Sequence, residues 1–258
     1  MLLAFNWKLN PQTKKQAESL FDFYAKNSSK VRSQIIVCPP FEYLFGFSHQ
    51  ASVVSRRIGL AAQDCFWENL GPFTGTVSAL NLKLSGIDYV ILGHSERRLH
   101  LGETDAMVNK KVLNAVGSGL KPILCFGESL GIHEKGANAV KKFIKKQISE
   151  NLKGLNHFSL SQRNSIIFVY EPVWAISSNS GNVAEDPNEA VGIIRHIKSV
   201  LATDYELSSV KVLYGGSVNQ KNVGGFLANG AIDGFLVGRA SLDKEEIKKI
   251  TEECDAKP

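Results

Sequence analysis

The sequence is poor in the features that mark a metal, redox or disulfide protein. Of 258 residues four are cysteine, Cys38, Cys65, Cys125 and Cys254, and none form a C-x-x-C pair. No histidine stands at metal-ligand spacing from them. Cys38 and Cys125 each close an apolar run, where a thiol behaves as a small buried hydrophobe. The expectation is a reduced chain without a metal. Long apolar runs are missing too: none approaches the roughly 20 residues that a membrane span needs. Met1-Leu2-Leu3-Ala4-Phe5 is apolar but runs straight into Asn6-Trp7-Lys8, with no basic opening and no small-residue cleavage site. It reads as a first strand, and the location as cytoplasmic. No Pro/Ser-rich linker and no shift in composition interrupts the chain, so residues 1–258 read as one domain. Aromatics interleaved with arginine, as a nucleic-acid groove requires, are absent.

What is there is ordinary for a globular enzyme: 43% hydrophobic and 21% charged residues. The net charge of +5 is concentrated in Lys141-Lys142-Phe143-Ile144-Lys145-Lys146 and in residues 244–249. Both stretches have helical spacing with apolar residues on one side, which reads as solvated helix faces. A mildly positive protein also suits a small anionic substrate.

Strand-like runs alternate with amphipathic segments from end to end. The runs are Leu2–Asn6, Gln34–Cys38, Ile58–Gln63, Tyr89–Gly93, Pro122–Phe126, Ile166–Glu171, Val210–Tyr214 and Gly234–Val237. Helical patterns cover Lys14–Ala25, Thr104–Val116, Gly136–Leu152, Pro187–Leu201 and Asp243–Cys254. Regular βα alternation predicts a parallel sheet. Eight units in this length predict an α/β fold closed as a single (β/α)8 TIM barrel. The rival, an open doubly wound sheet, usually carries a Gly-rich turn after its first strand, and Asn6-Trp7-Lys8-Leu9-Asn10-Pro11 has no glycine.

Catalytic residues of such a barrel sit at the carboxyl ends of its strands. Glu171 ends the apolar run Ile166-Ile167-Phe168-Val169-Tyr170, and Pro172 stops the strand there. A carboxylate at the lip of an apolar core loses hydration and becomes a better base at neutral pH. The polar stretch Ser177-Ser178-Asn179-Ser180-Gly181-Asn182 that follows reads as a mobile lid. Other strand ends carry Asn6 and Lys8, Gly93-His94-Ser95-Glu96-Arg97-Arg98, Gly127-Glu128, Tyr214-Gly215-Gly216-Ser217 and Gly238-Arg239-Ala240-Ser241. Each has a plain alternative. Glu171 fits an exposed strand end, Lys8 a solvated charge, His94 a helix cap, Gly-Gly-Ser a tight turn, and Glu96-Arg97-Arg98 a surface ion pair. Their convergence on one rim favours a site: one cation, one imidazole, one carboxylate and two Gly-containing turns whose N–H groups suit phosphate.

With those motifs in order from Asn6-Trp7-Lys8 to Gly238-Arg239-Ala240-Ser241-Leu242, together with Cys38-Pro39-Pro40-Phe41, Cys125-Phe126-Gly127-Glu128 and Glu171-Pro172-Val173-Trp174-Ala175-Ile176, the chain resembles the triosephosphate isomerase family over nearly its whole length. The resemblance implies interconversion of dihydroxyacetone phosphate and D-glyceraldehyde 3-phosphate, a step of glycolysis and gluconeogenesis, by proton transfer through an enediol(ate) without a cofactor. By that resemblance Glu171 is the base, and His94 polarises the carbonyl, held neutral by the helix that follows it. Lys8 steadies negative charge, Asn6 orients the substrate and Glu96 is a further carboxylate beside Lys8. Phosphate would rest on backbone N–H groups of Ser177, Ser217, Gly238 and Arg239. Trp174 and Glu128 would pair at the first hinge of the lid, and Tyr214 would hold the closed lid. Thr74 would reach into a second subunit of a homodimer.

The chain departs from the family in three places. Ser177 stands where glycine is usual in the lid. The pair after the last strand is Gly238-Arg239 rather than two glycines, with the Arg239 side chain expected to point outward. Thr76 stands where a glutamate normally pairs with the partner's arginine, so Arg97 needs another partner. A Schiff-base aldolase would want a lysine within an apolar strand, and a non-catalytic barrel would have lost its base, imidazole or cation. Neither fits these residues.

Overall fold

A computed structural model describes residues 1–54, 58–176, 185–228 and 230–256. Eight strands run β1 (Leu2–Asn6), β2 (Gln34–Cys38), β3 (Ile58–Ala62), β4 (Tyr89–Leu92), β5 (Lys121–Phe126), β6 (Ile167–Tyr170), β7 (Lys211–Tyr214) and β8 (Gly234–Val237). They pair in sequence order into a closed barrel. β8 closes it in parallel on β1, from Leu2 opposite Gly234 to Phe5 opposite Val237.

The strands read as continuous apolar runs because both faces are buried. Alternate residues fall into two clusters. Ala4, Ile36, Cys38, Ala61, Ile91, Ile123, Cys125, Val169 and Leu213 belong to the smaller one, which fills the barrel. Leu3, Phe5, Val37, Leu92, Phe126, Phe168 and Tyr214 belong to the larger one, shared with the helices outside. Both expected buried cysteines are in place, and Cys65 and Cys254 are buried as well.

Helix starts follow their capping residues. Thr13 accepts the Gln16 N–H and opens the helix Lys14–Ser28. Thr104 does the same for Asp105–Gly117 through Met107 N–H. Asp186 caps Pro187–Tyr205, where proline occupies a first-turn position that needs no donor. The lysine stretches lie on Ala137–Asn151 and Lys244–Ala256, with Ile144, Ile247 and Ile250 facing inward. Helices Phe41–Val54, Ala79–Leu84, Ser95–Leu101 and Val223–Leu227 add to those expected from periodicity. β6 ends at Tyr170 and β3 at Ala62, one residue earlier than expected. No helix among the described residues is long and apolar enough to cross a membrane.

Candidate active site

Asn6 ends β1, and the chain turns sharply at Lys8, whose φ of 53° is left-handed. A non-glycine residue pays roughly 1 kcal/mol for that conformation, so neighbours must impose it. Asn6 Oδ1 accepts the Lys8 N–H at 3.0 Å. Gln63 Nε2 donates to the Lys8 carbonyl at 2.8 Å and to the Cys38 carbonyl at 2.9 Å. The turn sends Lys8 Nζ to Glu96 Oε1, 2.5 Å away. Gly238 lies beside it, where a Cβ would stand at an ordinary contact distance of 3.4 Å from Lys8 Cε.

His94 follows β4 and precedes the helix Ser95–Leu101. Its Nδ1 accepts the Glu96 backbone N–H at 3.2 Å. An acceptor Nδ1 carries no proton, so the ring proton of the neutral form resides on Nε2. That nitrogen lies 2.9 Å from Glu171 Oε1. Burial works against a charged imidazole, but the carboxylates of Glu171 and then Glu96 outweigh it, and the His94 pKa lies above its ordinary value in this arrangement. Lys8 opposes them. Glu171 and Glu96 thus work against the neutral ring expected of His94.

Glu171 is only 2% exposed. Its N–H donates to the Phe126 carbonyl at 2.8 Å, continuing the β5–β6 ladder one residue past β6. Gly127 makes the approach possible, because a Cβ there would fall 1.9 Å from the Glu171 carbonyl oxygen. The Glu171 carboxylate is held twice, by His94 and by the Ser95 N–H at 2.9 Å on Oε2.

A cavity of about 440 Å³ opens over these groups, lined by Asn6, Lys8, His94, Glu171, Gly216, Ser217, Gly238 and Arg239. Residues from β1, β4, β6, β7 and β8 thus meet at one end of the barrel. Ser217 turns both its N–H (3.3 Å) and its hydroxyl (2.8 Å) to the Ala175 carbonyl. Arg239 opens a short 3₁₀ turn, Arg239–Leu242, at the cavity wall. Ser177 and the lid tip through Ala184 lie outside the described residues.

Trp174 Nε1 donates to Glu128 Oε1 at 2.7 Å. Tyr214 is fully buried, its ring stacked on Phe226 with centroids 4.3 Å apart. Thr74 and Thr76 are exposed in a loop with Leu70 and Phe73. The partner that Arg97 lacked in the sequence is within the chain: Asp64 Oδ2 at 2.7 Å and Glu103 Oε1 at 3.3 Å. Lys111 Nζ bridges the same two carboxylates, 2.7 Å from Asp64 and in contact with Glu103. Burial pushes the Asp64 carboxyl up, with Lys111 and Arg97 opposing.

Three contributors escaped the sequence reading. Gln63 read as the last residue of a strand, Gly127 only as part of a strand-end motif with no role of its own, and Glu185 carried no reading. Of these surroundings, only Pro187, near a helix start, was marked in the sequence.

The profile of the triosephosphate isomerase family matches residues 1–254. The chain is 39% identical over 249 residues to the triosephosphate isomerase of Thermoanaerobacter pseudethanolicus, covering 96% of this chain and 97% of the relative. It is 39% identical over 250 residues to that of Caldanaerobacter subterraneus, again with 96% and 97% coverage. The triosephosphate isomerase of Dictyoglomus thermophilum is 37% identical over 249 residues, with the same coverage. The chain belongs to the triosephosphate isomerase family.

Proposed function

We propose that this chain interconverts dihydroxyacetone phosphate and D-glyceraldehyde 3-phosphate as an intramolecular aldose–ketose isomerase, with residues 1–258 acting as one catalytic domain. The observation that carries the residue roles is the meeting of Lys8, His94 and Glu171 in a single cavity. In this reading the Glu171 carboxylate takes a proton from the carbon beside the carbonyl. The electrons move into the C–C bond and the carbonyl oxygen, giving an enediolate. His94 Nε2–H donates to that oxygen and then carries the proton between the two oxygens. Glu171 returns its proton to the neighbouring carbon. Lys8 lies where negative charge develops, and Glu96 and Asn6 hold its ammonium group and turn in place.

For the base to reach a substrate carbon, its carboxylate must leave His94. Burial and Lys8 then act on the imidazole without the opposing Glu171 charge, which favours the neutral ring that the donor role needs. Phosphate would take backbone N–H groups of Ser217, Gly238, Arg239 and Ser177. At Ser217 it would compete with the Ala175 carbonyl, so binding would couple to the segment that carries Trp174. Trp174, Glu128 and Tyr214 support that segment, and excluding water there would protect the enediolate from losing phosphate. The exposed loop with Leu70 and Phe73 supports a homodimer, with Thr74 reaching the partner. The proposed location is the cytoplasm.

A coupled assay with glyceraldehyde 3-phosphate tests the assignment beside Glu171→Asp and His94→Gln. Each substitution should lower turnover by roughly 10²-fold or more, the usual scale for a positioned acid or base. Wild type turning over no faster than the variants would sink it.

A further inference from the structure

The chain enters and leaves the stretch between Ile176 and Glu185 over one buried cluster. On entry, Val173 N–H donates to the Glu128 carbonyl at 3.0 Å, and Trp174 Nε1 to its carboxylate at 2.7 Å. On exit, Glu185 is 4% exposed and its Oε1 lies 3.2 Å from the Tyr170 hydroxyl. That hydroxyl is also 3.2 Å from Glu128 Oε1. The Tyr214 hydroxyl, from β7, is hydrogen-bonded to Glu185 as well. None of these carboxyl groups takes part in the proton transfers described above.

A phenol has one proton to donate. Tyr170 can therefore donate to one of the two glutamates only. Its contact with the other is a hydrogen bond only if that carboxyl keeps a proton and donates it to the phenol oxygen. The indole of Trp174 is purely a donor aimed at Glu128, and the Tyr214 hydroxyl is hydrogen-bonded to Glu185, so each carboxyl has a donor of its own and the surrounding charges choose between them. The retained proton falls to Glu185, which has the Glu189 carboxylate beside it, whereas the His133 ring stands beside Glu128. The second oxygens, Glu128 Oε2 and Glu185 Oε2, are buried and find no hydrogen-bond partner among the described residues. Two like charges in that setting would be costly. The remaining titratable neighbours do not cancel them. His133 Nδ1 is 3.9 Å from Glu128 Oε1, its ring lying on Trp174, and Glu189 adds a further negative charge from the helix Pro187–Tyr205. Burial first, and Glu128 next, push the Glu185 carboxyl up to about 8.

We propose that Glu185 is a positioning residue, kept as a neutral acid that ties the chain at 185 to Tyr170, the residue preceding the proposed base. Its ionisation sets it against Glu128, breaks the tie, and loosens the end of β6 that carries Glu171. The role in turnover rests on Glu171 acting as the base; the proton on Glu185 does not.

Infrared difference spectroscopy on the full chain tests the proton. Wild type at pH 7 should show the C=O stretch of a buried protonated carboxyl, and Glu185→Gln should lose it. In the coupled assay kcat/KM of wild type should bend downward near pH 8. Glu185→Gln, which mimics the neutral acid, should keep the rate and lose the bend. Glu185→Ala should lower kcat several-fold at every pH. A carboxyl band that survives Glu185→Gln, or the same bend in both proteins, overturns the proposal. The band is read without turnover, so failure of the isomerase reading and failure of the proton assignment appear separately.

Discussion

His94 Nε2 and Glu171 Oε1 are 2.9 Å apart, so the proposed base rests on the proposed proton carrier. The contact joins the ends of β4 and β6, two strands apart around the barrel. It makes the charge state of His94 depend on where the Glu171 carboxylate lies.

Neutralising Glu171 should therefore move His94. With Glu171→Gln the largest opposing charge is gone while burial and Lys8 stay, so the His94 pKa should fall from its raised position. NMR titration of the ring would show it. An unchanged titration would mean that Glu171 does not control the ring.

Gly127→Ala should be severely destabilising. The new Cβ would overlap the Glu171 carbonyl oxygen, which is backbone and cannot rotate away. A loss of about 3 kcal/mol or more is expected from such overpacking, with activity falling because Glu171 is displaced. Denaturant unfolding beside a Gly131→Ala control, where a Cβ meets nothing within 4 Å, would check it.

Lys111 is the cation of a buried cluster that also holds Arg97, Asp64 and Glu103. Lys111→Met should cost roughly 3–5 kcal/mol, because two buried carboxylates lose their bridge. Adding Asp64→Asn should recover part of that loss in a double-mutant cycle. Purely additive losses would count against a coupled cluster.

Glu185 sets a pH window for stability. Its folded pKa, about 8, exceeds the model-compound value of 4.5, so the folded state binds the proton more tightly than the unfolded chain. The stabilisation is complete below about 4.5 and declines as pH rises to about 8. Thermal midpoints of wild type should accordingly fall across that window relative to Glu185→Gln. A constant difference between the two proteins would contradict the shift.

Leu70 is 93% exposed and shares its loop with Phe73 and Thr74. If that loop is the dimer contact, light scattering should give about twice the 28.3 kDa chain mass, and Leu70→Asp should shift the protein toward monomer. A wild-type mass of one chain at micromolar concentration would remove the dimer.

The strands were legible because short apolar runs buried on both faces look alike wherever they occur, and glycine, proline or asparagine closes several of them. A helix start was legible at Pro187, whose fixed φ suits a first turn. The helix Phe41–Val54 was not, since phenylalanines, tyrosine and Gly46 argue locally against it. It forms because Phe47 buries against Phe21 at 4.3 Å and Trp7 at 6.0 Å, contacts that exist only after β1 and its following helix have closed on it.

The order of chemical groups along the rim was set by sequence alone. Lysine, imidazole and carboxylate each follow a strand, and a closed parallel barrel delivers every strand's carboxyl end to the same face. Tertiary structure decided which groups meet and with what charge. Glu171 found His94 and Ser95, Arg97 found Asp64 and Glu103, and Glu185 found Tyr170 beside Glu128. Those outcomes depend on separations of a few ångströms and on the removal of water, and neither is encoded in spacing along the chain.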